Sequence, residues 1–252
     1  MRASIHSTIR LGGNGTVKHQ YYGDINDFWT YGLLRVLQQR LGWSMGVCWM
    51  LTPPDGRNDG NKISYLDEAS RYQPHDPMLF QALSQSVRAG RRCLSEFAQA
   101  ELLNEASYFA DPLPLAVEAR AAYWRTAEDR LDDRDLVFFD PDNGLEISSV
   151  QRGQKNSDKY LWLDEAQRFY ARGQRLLLFQ HFPRTQREPY LNKRCKEIRR
   201  AFTGSSRSEA LTIASFSHAH VSFLLVLEKS EHAKVATAFE RDDPFFGHLR
   251  WH

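Results

Sequence analysis

Two carboxylates and an amide fall close together at Asp140-Pro141-Asp142-Asn143-Gly144. An oxygen-rich group of this kind can hold a hard cation such as Mg²⁺, exchange protons, or accept hydrogen bonds from a substrate amine. Asp140 and Asp142 are therefore candidate ligands for a divalent metal and, with Asn143, candidate catalytic residues. Carboxylates this close repel, so a cation, a shared proton or a donor such as Lys159 or Arg184 must balance them. Pro, Asp, Asn and Gly are also the usual turn formers, which leaves a purely structural use open. A second group is Gln180-His181-Phe182-Pro183-Arg184. His181 could serve as general base or metal ligand beside Asp140, and Arg184 could contact a phosphate. His218 and His220 flank a short link between apolar runs and read as turn residues.

Two earlier segments carry similar residue types. Tyr22-Gly23-Asp24-Ile25-Asn26-Asp27-Phe28 precedes a helical pattern, where Asp24 or Asn26 could cap the helix or face a ligand. The loop at 52–62 reads Thr-Pro-Pro-Asp-Gly-Arg-Asn-Asp-Gly-Asn-Lys. Gly56 permits close backbone approach, Asp59 adds an acid, and Arg57 and Lys62 suit a phosphate. A bland surface loop is the other reading. Between 184 and 207, eight basic residues meet only Glu188 and Glu197, a footprint suited to nucleic acid or to a solvated helix face.

The elements that position these groups follow from hydrophobic period. Residues 45–51, 136–140 and 175–180 are continuous apolar runs, expected of inner strands covered on both faces. Helices are expected over about 24–41, 76–89, 94–104, 112–131, 159–172, 188–202 and 231–241, and shorter strands at 62–66 and 106–110. Runs at 211–216 and 221–227 are joined by four residues, too few for a parallel crossover, and form an antiparallel hairpin. The expectation is an α/β fold with a doubly wound, mostly parallel sheet and a terminal antiparallel hairpin, after a loose arm over 1–20; residues 21–252 read as one domain. In such sheets ligands bind outside the carboxyl ends of the strands, where the 140–144 and 180–184 groups fall.

That element order resembles the Rossmann-like methyltransferase fold. Asp140-Pro141 is similar to the acidic motif after the fourth strand of amino-methyltransferases, Asp/Asn-Pro-Pro-Tyr/Phe. Here Asp142 and Asn143 stand where that motif has proline and the aromatic that stacks on the base. The Asp-Asn pair also resembles metal-dependent O-methyltransferases. The 22–28 segment resembles the His-Ala-Gly-Asn-x-Ala-Asp stretch of the bacterial large-subunit rRNA adenine methyltransferase J type, with Gly23, Asn26 and Asp27 matching in kind at altered spacing. The resemblance implies S-adenosylmethionine as cofactor, held by Tyr22, Gly23, Asp24, Asn26, Asp27, Gly56 and Asp59. It implies a nucleic acid or nucleotide substrate met by Arg57, Lys62, Lys159 and Arg184. It also implies a pocket joining the 22–28, 52–62 and 140–144 segments. The chain departs from the pattern after its first strand, where the expected Gly-x-Gly-type turn is absent.

Composition narrows the rest. The chain has 252 residues, 33 basic and 31 acidic, so its net charge of +2 selects no partner. Cys48, Cys93 and Cys195 fit no zinc or redox spacing, which points to a reducing compartment. The apolar stretches, such as 223–227, fall far below the ~20 residues that span a bilayer. A cytoplasmic protein with no membrane segment is expected. Two other functions compete with a transferase: a metal-dependent nuclease or hydrolase using Asp140, Asp142 and His181, and a non-catalytic nucleic-acid-binding relative of the fold.

Overall fold

The computed structural model describes residues 22–53, 61–203, 210–218, 220–239 and 249–252. The N-terminal arm, Gly56, Arg57, Asp59 and Arg207 lie outside the described residues.

The chain enters α1 (Ile25–Leu41) and passes into β1 (Met45–Cys48). Then come α2 (Ala69–Tyr72), α3 (Pro77–Arg88), α4 (Leu94–Gln99), β2 (Ser107–Phe109), α5 (Val117–Leu131) and β3 (Leu136–Phe139). Two-residue strands β4 (Gly144–Leu145) and β5 (Tyr160–Leu161) pair with each other and lead to α6 (Leu163–Ala171) and β6 (Arg175–His181). The chain finishes with α7 (Arg187–Phe202), β7 (Leu211–His218), β8 (Val221–Glu228), α8 (His232–Ala238) and β9 (Arg250–Trp251).

Among the described residues, seven strands form one mixed sheet in the order β2-β1-β3-β6-β8-β7-β9. β2, β1, β3 and β6 are parallel. The β7–β8 hairpin returns so that β8 lies between β6 and β7, antiparallel to both. This is a Rossmann-like α/β architecture.

The apolar runs became inner strands because both sheet faces are covered. In β3, Leu136 and Phe138 point to one core, packed with α1, α3 and α4, while Val137 and Phe139 point to the other, packed with α5, α6 and α7. β6 alternates likewise, Leu177 and Phe179 against Leu176 and Leu178. Each large side chain fully buried this way contributes about 1.5–3 kcal/mol. Helix starts follow cap chemistry. Asp24 caps α1, and Asp76 caps α3 by accepting from the Leu79 N–H at 3.0 Å, with Pro77 in the first turn.

Several sequence expectations are corrected. The stretch at 62–66 is not a strand; Ser64–Asp67 forms a 3₁₀ turn that buries Tyr65 and Leu66, and among the described residues no strand pairs with it. The helix expected from 112 starts only at Val117, since Pro112 bridges to Leu51 and Leu113 N–H donates to Leu51 O at 2.7 Å. The helix expected from 159 starts at Leu163, because Tyr160–Leu161 is taken by pairing with β4. α4 stops at Gln99 rather than 104, with Glu101 in the left-handed region (φ 49°).

The basic segment also divides. Arg194 is buried, donating to Glu146 O and pairing with Glu197 at 2.5 Å; Arg199 donates to Leu211 O and to His252 O. Those two arginines hold the fold together and are not part of an open basic face.

Candidate active site

The carboxyl ends of β1, β3 and β6 open on a cavity of about 920 Å³. Three loops form its walls, one from each strand end or helix start, as the open-sheet rule requires.

The first wall is the turn before α1. Asp24 is buried, and its Oδ1 accepts from the Asn26 and Asp27 N–H groups at 2.7 and 3.2 Å. The Asp27 carboxylate accepts in turn from Gly23 N–H at 2.9 Å. Gly23 has φ 81°, and a Cβ there would stand 2.5 Å from Val87, so only glycine closes this turn. Arg92 donates to Tyr22 O and to Asn61 Oδ1, both at 2.8 Å, and Ile25 N–H donates to Lys62 O at 3.1 Å. These bonds carry Asn61 and Lys62 to the cavity beside Tyr22, Asp24, Asn26 and Asp27.

The second wall is the exit of β1. Met50 is fully buried at φ 44°, a conformation that costs a non-glycine residue about 1–3 kcal/mol and re-aims the chain. Trp49, Leu51 and Thr52 face the cavity, and Thr52 Oγ1 donates to Asp142 Oδ2 at 2.8 Å.

The third wall joins β3 and β6. Asp140 N–H donates to Cys48 O at 3.1 Å, extending the β1–β3 ladder to the acid itself. Asn143 N–H donates to Lys159 O at 2.9 Å, and Gly144 N–H closes a turn to Pro141 O at 3.3 Å. Gly144 sits at φ 100°, and a Cβ there would lie 2.5 Å from Gln180 Nε2. That close approach lets the buried Gln180 accept from Leu145 N–H at 3.0 Å and donate to His181 O at 2.9 Å. Asp140, Asp142, Asn143, Lys159 and His181 all line the cavity. Arg184 does not line it and is exposed.

Sequence reasoning included Thr52 in the 52–62 loop and Gln180 and Phe182 in the group at the end of β6, but missed Trp49, Tyr160 and Tyr190 as wall residues. The strand-end rule pointed to Thr52 and Gln180, which follow β1 and close β6. Tyr160 and Tyr190 carried no such signal, because only tertiary packing brings them in. Phe182 and Tyr190 lie with ring centroids 6.2 Å apart at the mouth. These two rings come from the loop after β6 and from α7.

The electrostatics are those of crowded carboxylates out of bulk water. Burial pushes the Asp140 carboxyl up to about 8, with Asp142 and then Asp24 adding to the rise. Burial likewise holds Asp27 well above the usual carboxylate range, with Asp24 and Asp140 pushing the same way. Asp24 is raised by burial despite its two backbone donors. His181 moves in the opposite sense: burial lowers it, against the pull of Asp142, so its ring is neutral at physiological pH. The cavity therefore favours a ligand that brings positive charge or donors to its acidic side. Among the described residues, no group of three or more His, Cys, Asp or Glu side chains converges as a metal site. Asp140, Asp142 and His181, the residues of the metal-dependent hydrolase reading, line the same cavity.

Fold and cavity together define a Rossmann-like α/β protein with an acidic cavity at the carboxyl edge of its sheet. No protein-family model matches the chain, and no curated protein matches it.

Proposed function

We propose that the chain is a Rossmann-like S-adenosylmethionine-dependent transferase that modifies an amine on a nucleobase. One observation carries this reading: Asp24, Asp27 and Asp140, from two separate segments, converge on one cavity at the strand carboxyl ends. S-adenosylmethionine supplies a sulfonium cation with a transferable methyl group. Asp24 and Asp27 would hold its positively charged part, since a cation relieves the repulsion that raises their carboxyls. Asp140 and Asp142 would accept hydrogen bonds from the target amine. Asp140, raised to about 8 in the free chain, would release its proton when a cation binds beside it and then take up the one the amine loses. Phe182 and Tyr190 would stack on the base.

Isothermal titration with S-adenosylmethionine tests this. Binding should be accompanied by proton release, read as a dependence of the heat on buffer, and should weaken in Asp27→Asn. Absence of binding to the native chain at millimolar cofactor would refute the reading.

A further inference from the structure

We infer that the substrate is a single-stranded nucleic acid rather than a free nucleotide, and that its phosphates run along the exposed face of α7 that ends at the cavity mouth. This rests on the transferase reading for what happens in the cavity, but the binding face is argued independently of it.

Lys193, Lys196 and Arg200 recur at three- and four-residue spacing, so they share one face of α7. All three are exposed, and they line a shallow groove of about 580 Å³ with Pro189, Asn192 and Glu197. With a rise of 1.5 Å per residue, the stripe from Lys193 to Arg200 is about 10 Å long. The acid inside the stripe is largely answered from below, since Glu197 pairs with the buried Arg194 at 2.5 Å and is 3.9 Å from Lys193.

Packing also brings β9 to α7. His252 Nδ1 lies 3.1 Å from Asn192 Oδ1, fixing β9 against α7, and Arg250 stands exposed with its guanidinium 4.0 Å from Glu188.

The stripe also has a direction. At the N-terminal end of α7, Tyr190 and the preceding Phe182 form part of the cavity wall. Arg187 lies over the Phe182 ring at 5.1 Å, and Arg184, two residues after Phe182, is exposed. A strand whose phosphates follow the basic face would deliver a base to these rings, the combination by which single strands are bound. A free nucleotide would fill the cavity and leave the stripe unused. A paired base could not enter the cavity without leaving its helix. The groove has no large apolar side chain, which a protein interface core would require.

Fluorescence anisotropy with a labelled single-stranded oligonucleotide reads this directly. The variant Lys193→Glu, Lys196→Glu, Arg200→Glu should lose about tenfold or more in affinity at low salt. Its log–log salt slope should flatten by about 2, as expected for three lost phosphate contacts on a single strand. Melting temperature and S-adenosylmethionine binding should match the native chain; Gln at the same three positions, a milder change, should give an intermediate loss. Unchanged affinity in both variants overturns the proposal. So does native binding no tighter to the oligonucleotide than to a mononucleotide, or equal binding to phosphatidylserine vesicles that the charge reversal abolishes in the same way. If S-adenosylmethionine fails to bind while oligonucleotide affinity still tracks the stripe, the cavity assignment falls and the binding face stands.

Discussion

Thr52 Oγ1 donates to Asp142 Oδ2 at 2.8 Å, tying the loop after β1 to the loop after β3 across the cavity. This bond fixes where one carboxylate stands relative to its neighbour Asp140. A hydrogen bond to a charged group contributes about 1.5–3 kcal/mol net. Thr52→Val, which keeps the shape and removes the donor, should cost about 1–2 kcal/mol in urea denaturation. Thr52→Ser should recover most of it. Equal stability of the two variants would mean the hydroxyl contributes nothing.

Asp140 sets a pH dependence whose sign is fixed. Its folded carboxyl is raised to about 8 from 3.8, so between those values the folded chain binds a proton that the unfolded chain has released. Stability from this group therefore falls as pH rises through that window, and Asp24 and Asp27, also raised, act in the same direction. Asp140→Asn should raise the melting temperature more at pH 8 than at pH 5. Calorimetric scans showing no such difference would place Asp140 in open solvent.

The neighbouring acids link cofactor binding to pH. A cation that needs Asp24 and Asp27 ionised binds more tightly as pH rises, and Asp27→Asn should flatten that rise. Titration of S-adenosylmethionine from pH 6 to 9 measures it; affinity that falls across this range contradicts a carboxylate-based site.

Gly144 is strained for any other residue. At φ 100°, with a Cβ placed 2.5 Å from Gln180 Nε2, Gly144→Ala should cost about 1–3 kcal/mol. It should also displace the Gln180 bridge to Leu145, and with it the loop carrying Asp140 and Asp142. Chemical denaturation paired with cofactor titration reads both effects, and an Ala variant as stable as the native chain removes the premise.

Behind the site, Arg120 is buried and donates to Glu165 at 2.6 and 2.8 Å, to Ser157 O at 3.1 Å and to Tyr160 O at 2.7 Å. It anchors the segment that presents Lys159 and Tyr160 to the cavity. Arg120→Met leaves Glu165 buried and unpaired and should cost about 3–5 kcal/mol. The double variant Arg120→Met, Glu165→Leu should recover much of that loss, and its failure to do so would show that the bonds to Ser157 and Tyr160 dominate.

By itself the sequence determined what is set within a few residues. The buried strands were legible in the apolar runs around Val47, Phe138 and Leu177, the starts of α1 and α3 in Asp24 and Asp76-Pro77, and the placing of Asp140 at a strand end in the run that precedes it. Period, cap and turn chemistry are local, so they survive without knowledge of the fold. Tertiary structure alone decided that β8 inserts beside β6 and that Tyr190 supplies a ring to the cavity wall. It also separated Arg194 and Arg199, consumed by carbonyls, from Lys193, Lys196 and Arg200, left on the surface. A carboxyl's proton affinity and an arginine's partners depend on depth and on which distant segments pack there, and neither is written in the spacing of neighbours along the chain.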